Sequence, residues 1–408
     1  MQWKQVVTGL ALLAILCAAC SATTPASPAA TRATAKPAVS VTNEPTPGAA
    51  AGRSACTPTG SVPAISPMRR SAASWPERSL LRQSPAEPVS DQVISPTTDT
   101  AYALTSRTRA PAQGPYILEC TGPRTGGVHT GPRFSVGSLA LVSGYLWIYG
   151  TPEPGSLPVI SQVSQATLTR IRSVPLPPRP AGPGGPAFAA GPDDSVWIGY
   201  AQTLLRVDAA TGAVVTRVTL PPGLGVSNVS ADPARTTLYV SAARAVRGGF
   251  EGLVMLEYDA RSGRQLAAAS SGVLRYSVAG ASLTAVPGGV WVSFRTGMLG
   301  LTVHLRRTGL RMIAPPGPGI AQSPASGPFH WPMFEVTAYG GGALWLANQL
   351  GIVACLDPRS GTVRASERIG RARQLIYSLQ AIDPVRRAIY ASTQWALVQI
   401  SPPRRCWR

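Results

Sequence analysis

The feature that most constrains the fold of this chain is a repeat with a period near fifty residues. A short apolar strand with an aromatic residue at its second position recurs at intervals of 45, 50, 42, 52, 54 and 45 residues. The aromatic residues are Tyr102, Trp147, Trp197, Tyr239, Trp291, Trp345 and Tyr390. A turn precedes several copies, and a third strand, a tight turn and a fourth strand follow. Four strands at this period are typical of a β-propeller blade.

The repeat therefore predicts an all-β, seven-bladed β-propeller over residues 56–408. Only 13% of residues are charged, while Gly (41) and Pro (40) are abundant, which favours short strands joined by turns. The last copy ends after its third strand, in Pro402–Arg408. We expect the segment 56–97 to supply the missing strand and so to complete the last blade.

A D-x-x-[ST]-G motif occurs three times between the predicted third and fourth strands, at Asp208–Gly212, Asp259–Gly263 and Asp357–Gly361. The first copy keeps a remnant, Pro123–Gly126. An Asp carboxylate accepts hydrogen bonds from backbone N–H groups further along a turn, and Gly adopts a positive φ without steric cost. The motif predicts a hairpin turn rather than a cofactor site.

The repeat and its turns resemble propellers of the quinoprotein-like, YVTN-like and virginiamycin B lyase-like group, over roughly residues 98–408. Quinoproteins that bind pyrroloquinoline quinone carry a Trp shortly after T-G, but Ala213-Val-Val and Thr362-Val-Arg stand here. Virginiamycin B lyase relatives use His and Glu with a divalent metal. This chain has only His129, His304 and His330, with no H-x-H, so we expect no cofactor and no metal.

Acid–base candidates are few. The longest insertion between strands, Ala314–Met333, carries His330, and Glu335 follows; the pair is a candidate for catalysis, and an ordered surface loop is the alternative. Asp193-Asp194 is either an exposed turn or a weak Ca²⁺ ligand. No G-x-S-x-G is present, and no Lys follows Lys36. These observations favour a protein that is not an enzyme.

The N-terminus has the organisation of a bacterial lipoprotein signal. Lys4 precedes an apolar run, Val6–Ala19, that is too short to span a membrane comfortably. The sequence Leu16-Cys-Ala-Ala-Cys20 resembles a lipobox, although Cys17 stands where that family usually has Leu. The resemblance implies cleavage after residue 19 and acylation of Cys20; secretion without lipid is the alternative. Residues 20–55, rich in Pro, Ala and Thr, predict a disordered tether.

Four cysteines remain after the signal region: Cys56, Cys120, Cys355 and Cys406. An even number outside the cytoplasm permits two disulfides, and three pairings are possible. A Cys56–Cys406 bond would hold the closure of the propeller, and Cys56–Cys120 is the alternative. Cys120 and Cys355 occupy equivalent positions in distant repeats, which is too far apart to bond.

The formal net charge is +19, but the arginines are scattered rather than clustered with aromatic residues. We therefore expect an anionic envelope surface, not nucleic acid, as the counterpart of this charge. The sequence predicts a monomeric, membrane-anchored binding or scaffolding module for an envelope protein, peptide or glycan. The alternative is a hydrolase or lyase that acts in the propeller funnel.

Overall fold

Each aromatic residue of the repeat lies on the second strand of a four-stranded antiparallel sheet. A computed structural model describes residues 75, 77–82, 89–96, 98–106, 116–121, 129–134, 138–151, 156–176, 186–246, 249–270, 282–296, 299–306, 311–312, 336–347, 351–369, 376–393 and 396–407. These residues form seven such sheets, and all seven aromatic side chains are buried in them. The number of sheets equals the number of aromatic strands.

Blades are numbered here in chain order. Blade 1 contains β2(Val89–Ser95), β3(Thr100–Ser106), β4(Tyr116–Thr121) and β5(His129–Phe134). Blade 2 contains β6(Ser138–Val142), β7(Tyr145–Gly150), β8(Val159–Val163) and β9(Arg170–Pro175). Blade 3 contains β10(Ala187–Ala190), β11(Ser195–Tyr200), β12(Thr203–Asp208) and β13(Val214–Thr219). Blade 4 contains β14(Leu224–Ala231), β15(Thr237–Val246), β16(Gly249–Asp259) and β17(Gln265–Ser270).

The remaining blades follow the same order. Blade 5 contains β18(Ser282–Val286), β19(Gly289–Thr296), β20(Leu299–Arg306) and β21(Arg311–Met312). Blade 6 contains β22(Val336–Gly340), β23(Ala343–Ala347), β24(Ile352–Leu356) and β25(Val363–Arg368). Blade 7 contains β26(Ile376–Asp383), β27(Ala388–Thr393), β28(Ala396–Ile400) and, as its outer strand, β1(Glu77–Arg82). A 3-10 helix, Arg404–Cys406, follows β28.

The first strands of the blades are neighbours around a closed ring, because β2, β6, β10, β14, β18, β22 and β26 each contact the next and β26 contacts β2. Strand β1 pairs antiparallel with β28, with Glu77 opposite Ile400 and Arg82 opposite Ala396. The chain therefore closes its ring with an N-terminal strand. The predicted all-β propeller of four-stranded blades is confirmed.

The core lies between the blades rather than within one layer. One buried cluster combines Trp197 and Leu204 of blade 3 with Leu238 and Leu256 of blade 4. A second cluster combines residues of blades 2 and 3, and a third combines residues of blades 6 and 7. Each blade therefore buries both of its faces against its neighbours, as a propeller requires.

The D-x-x-[ST]-G motifs form the turns between third and fourth strands. Asp208 Oδ1 accepts hydrogen bonds from the Thr211 N–H (2.6 Å) and hydroxyl (2.7 Å), and Gly212 has a φ of +72°. Asp259 receives the same two bonds from Ser262, both at 2.7 Å. The hydrogen bonds from Thr211 lower the pKa of Asp208, and those from Ser262 lower the pKa of Asp259. The carboxylates are thus committed to the turns.

These turns also join one blade to the next. The carbonyl of the second turn residue accepts a hydrogen bond from the preceding blade in three cases. Trp197 Nε1 donates to the Ala260 carbonyl (2.9 Å), Trp291 Nε1 to the Pro358 carbonyl (2.8 Å), and Gln162 Nε2 to the Ala209 carbonyl (2.6 Å). In this chain, too, a tryptophan packs between blades. It lies on the second strand of the preceding blade, whereas in the quinoproteins it follows the T-G of the turn.

The disulfide pairing differs from the prediction. Cys406 bonds to Cys355, with Cα atoms 5.6 Å apart, so the predicted Cys56–Cys406 pair is wrong. Cys120 is also disulfide-bonded, and Cys56 lies outside the described residues. Strand β28 already has β1 along its outer edge, so the chain after Ile400 cannot form a fourth strand. It turns instead onto blade 6, where Cys355 lies on β24.

The seam between blades 7 and 1 contains a polar cluster. Tyr390 on β27 donates its hydroxyl hydrogen to Asp99 Oδ1 (2.7 Å), and Arg386 Nη1 donates to the same oxygen (2.6 Å). Burial raises the pKa of Tyr390, and its bond to Asp99 raises it further. These contacts connect the last blade to the first beside the ring of inner strands.

Candidate binding groove

One face of the propeller carries the turns between strands 1 and 2 and between strands 3 and 4 of each blade, for example Asp232–Thr236 and Asp208–Gly212. We refer to it as the tight-turn face. The connections between strands 2 and 3, and between one blade and the next, lie on the opposite face. This division follows from the up-and-down order of four antiparallel strands. The inner strands of blades 3 to 6 end at the tight-turn face.

Two adjoining cavities open where these inner strands end. The first has a volume of about 450 Å³ and lies between β10 and β14; Phe188, Ala190 and Asn228 are among its lining residues. The second, of about 430 Å³, lies between β14, β18 and β22, and it is lined by residues such as Thr284 and Tyr339. Ser230, Ala231 and Pro233 line both cavities. Together the cavities form one groove that crosses four successive blades.

Several of the side chains that line the groove are small. Ala190, Ala231, Ala338 and Gly340 line it, and aromatic rings stand near its two ends, Phe188 on blade 3 and Tyr339 on blade 6. Small side chains leave room for another backbone to approach closely. This shape suits an extended chain better than a compact ligand, which proteins usually bind in a deep apolar pocket.

The charged residues of the groove are one acid and one base. Asp232 is committed to its turn, since Oδ1 accepts the N–H groups of Thr236 (2.6 Å) and Thr237 (2.9 Å). Arg235, with a φ of +56°, is exposed at the edge of the groove. The Arg235 guanidinium is therefore the charged group that the groove offers to a ligand.

Hydrogen bonds between neighbouring inner strands fix the floor of the groove. Ser230 Oγ on β14 accepts a hydrogen bond from the Ala285 N–H on β18 (3.0 Å). Asp91 has a similar role between blades 1 and 2, where Oδ2 accepts the Leu139 N–H (2.8 Å). Burial raises the pKa of Asp91 to about 6, although its backbone hydrogen bonds oppose this shift. The inner ring is thus held by polar side chains as well as by packing.

The residues predicted for acid–base chemistry fall mostly outside the described part of the chain. His330, Glu335 and the insertion Ala314–Met333 lie outside the described residues. His129 begins β5 of blade 1 and is half-buried. His304 lies on β20 of blade 5, opposite Trp291. The two described histidines therefore belong to different blades.

Asp193 and Asp194 form an exposed turn in which both residues have a positive φ. Asp193 Oδ1 pairs with Arg261 of blade 4 at 3.0 Å, and both side chains are well exposed. Within the described part of the chain, no group of three or more His, Cys, Asp or Glu side chains is placed to hold a metal ion. None of the described residues belongs to a helix with the length and hydrophobicity that crossing a bilayer requires.

The sequence matches no protein-family model and no curated protein. Among solved structures, the chain is similar to the WD40 domain of Pan2 from Neurospora crassa, with a TM-score of 0.53 and 11% identity over 83% of this chain and 98% of that one. It also resembles BamB from Moraxella catarrhalis, with a TM-score of 0.47 and 14% identity over 76% and 82% of the two chains. The likeness to the Pan2 domain supports the propeller fold, and at this identity it shows the fold alone.

Proposed function

We propose that this chain is a lipid-anchored, extracytoplasmic propeller that binds an extended segment of an envelope protein or peptide. The observation that carries the proposal is the groove over the ends of β10, β14, β18 and β22. Its small lining residues leave backbone-sized space, and Arg235 supplies a charged contact at the edge. Among the described residues that line the groove, the one carboxylate, that of Asp232, is already hydrogen-bonded within its own turn, and this supports binding rather than acid–base chemistry.

Photo-cross-linking in cells tests the groove. A benzoylphenylalanine probe at position 235 is expected to give discrete protein adducts under ultraviolet light. The same probe at position 215, on the exposed outer strand of blade 3, is expected to give none of these adducts. Filling the groove with Ala231→Trp should abolish them, because Ala231 lines both cavities. The matched variant Thr219→Trp, on an exposed position of β13, should leave them unchanged.

Two results would contradict the groove as a binding site. One is identical adducts from positions 235 and 215, which would mean that the contacts are random collisions. The other is full cross-linking in an Ala231→Trp protein whose circular dichroism and unfolding midpoint match the parent protein. Absence of any adduct at position 235 would also count against the proposal.

The anchor is a separate part of the proposal, and it rests on the sequence of residues 1–20. We expect the membrane-extracted protein to have the mass of a chain that begins at Cys20, plus a diacylglyceryl group and any further acyl chain. Cys20→Ala should remove this increment, whereas Cys17→Ala should keep it, since Cys17 is removed with residues 1–19. A mature chain that carries no lipid would contradict the anchor and would indicate simple secretion instead.

A further inference from the structure

Four exposed arginines lie on the tight-turn face of blades 6 and 7. They are Arg359, Arg387, Arg404 and Arg405. Arg404 and Arg405 belong to the 3-10 helix that the Cys355–Cys406 disulfide holds against blade 6. Arg359 follows Cys355 in the turn after β24, and Arg387 ends the turn between β26 and β27. We call these four arginines, together with Val385 and Trp407, the C-terminal basic patch.

Carboxylates near the patch are already engaged. Asp357 pairs with Arg364, with 2.7 Å between Oδ2 and Nη2, and Asp383 Oδ2 lies 3.7 Å from Arg386 Nε. None of the four patch arginines forms an ion pair with a described residue. The patch therefore presents four exposed arginines that no described carboxylate neutralises within ion-pair distance.

An apolar tip stands beside these charges. Val385 is 91% exposed, the highest value among the large hydrophobic residues described. Asp383 Oδ1 accepts the N–H groups of Val385 (2.9 Å) and Arg386 (3.0 Å), which fixes the turn so that Val385 projects outward. Arg386 points the other way, towards Asp99, at 2.6 Å.

A tryptophan ring completes the patch. Trp407 is half-buried, with its ring centroid 4.9 Å from that of Trp345. Its ring also covers Gly341, and Pro384 lies close to the same point: a Cβ added to Gly341 would meet the Trp407 ring and would be 3.6 Å from Pro384 Cβ. Gly341 thus shows that the C-terminal tail and the Val385 turn are neighbours. The indole N–H donates to the Pro402 carbonyl at 3.4 Å.

We propose that the C-terminal basic patch docks on the surface of an anionic phospholipid membrane. Exposed arginines on one face are attracted to anionic headgroups, and a half-buried tryptophan with an exposed aliphatic tip is suited to the headgroup boundary. Val385 projects almost fully exposed from its turn, which suits insertion among lipid headgroups. The patch is formed by the propeller alone and does not depend on acylation of Cys20.

Vesicle sedimentation tests this proposal with residues 20–408 carrying Cys20→Ala, so that neither an acyl chain nor the apolar run Val6–Ala19 contributes. We expect binding to vesicles that contain phosphatidylglycerol, weak binding to pure phosphatidylcholine, and a fall in binding as salt increases. Arg404→Glu with Arg405→Glu should lower the partition coefficient at least about tenfold. Arg359→Glu with Arg387→Glu, which leaves the 3-10 helix untouched, should have a similar effect. Val385→Asp should lower it several-fold.

The matched control is Arg217→Glu with Arg264→Glu, two exposed arginines on blades 3 and 4. This variant changes the net charge by the same amount and should lower the partition less than about threefold. An equal loss in control and patch variants would overturn the proposal, because binding would then reflect the overall charge of +19. Failure of the parent protein to bind anionic vesicles would also overturn it, whatever the outcome of the groove and anchor experiments.

Discussion

Trp197→Ala is expected to lower the free energy of unfolding by about 4 kcal/mol, close to the upper end for a single core substitution. The ring is fully buried between blades 3 and 4, so its removal leaves a cavity at the seam. The change also leaves the Ala260 carbonyl without its hydrogen bond, at a site where water cannot replace the indole N–H. Trp291→Ala should lower the free energy of unfolding by a similar amount, because the Trp291 indole N–H donates a hydrogen bond to the equivalent carbonyl, that of Pro358.

Tryptophan-to-phenylalanine variants separate the hydrogen bond from the packing. The Ala260 carbonyl is buried, so we expect Trp197→Phe to cost about 1 to 3 kcal/mol. The matched controls are Trp147→Phe and Trp345→Phe. Their indoles donate within their own blades, to the carbonyls of Val142 and Gly340 at 3.2 and 3.1 Å, and these bonds are only partly buried. Water can reach those two carbonyls, so the free energy of unfolding should fall less in the control variants than in Trp197→Phe.

Urea denaturation followed by circular dichroism gives these values, provided that the slope of the transition stays constant between variants. Equal losses for Trp197→Phe and Trp345→Phe would show that the bond between blades adds nothing beyond ordinary packing. A loss below about 1 kcal/mol for Trp197→Ala would mean that the seam between blades 3 and 4 relaxes around the missing ring.

The sequence is enough to predict a chain of repeated four-stranded blades, because aromatic strands and Asp-Gly turns are local signals with a regular spacing. It missed the turn of blade 2, where Ser164 takes the place of Asp and Leu168 that of Gly. Ser164 Oγ accepts the N–H of Ala166 (3.2 Å) and of Thr167 (3.3 Å), and Leu168 has a φ of +55°. The hydrogen-bonding pattern is the same, but the residue types hide it. The clue that the sequence does offer to this turn is its position along the chain after Trp147, the aromatic residue of the same repeat.

The groove was not predictable in the same way. Residues such as Phe188, Ser230 and Tyr339 come from three different blades, and no local pattern distinguishes them from other inner-strand residues. The contact of Trp197 with Ala260 likewise depends on how one blade packs on the next. Contacts between blades are set by tertiary packing, which a single sequence does not encode as a motif.

The sequence predicts the wrong partner for Cys406 because closure of the ring and attachment of the C-terminal tail are two separate features of this fold. Closure is made by β1, which pairs along β28. The tail after Ile400 instead takes the place that a turn between third and fourth strands has in other blades. Such turns pack on the preceding blade, as Gly263 does against Val218 on β13. The tail therefore reaches blade 6, and Cys406 meets Cys355.

Removal of this disulfide by Cys355→Ala with Cys406→Ala is expected to lower the free energy of unfolding by about 4 kcal/mol. The bond joins residues 51 positions apart, and a loop of that length restricts the unfolded chain by about this amount. The double substitution is preferable to a reductant, because Cys120 is also disulfide-bonded and a reductant would break that bond as well. Urea denaturation measures the total loss.

Hydrogen exchange shows where the loss occurs. Trp345 on β23 is covered by Trp407 rather than by a D-x-x-[ST]-G turn, so release of the tail should speed exchange over Ala343–Ala347. Strand β11, Ser195–Tyr200, is the matched region, since the turn containing Ala260 still covers Trp197 there. Trp407→Ala, which keeps the disulfide, should produce a smaller increase over β23 alone. Uniformly faster exchange over β11 and β23 would instead show that the disulfide stabilises the whole ring and that the tail has no local role on blade 6.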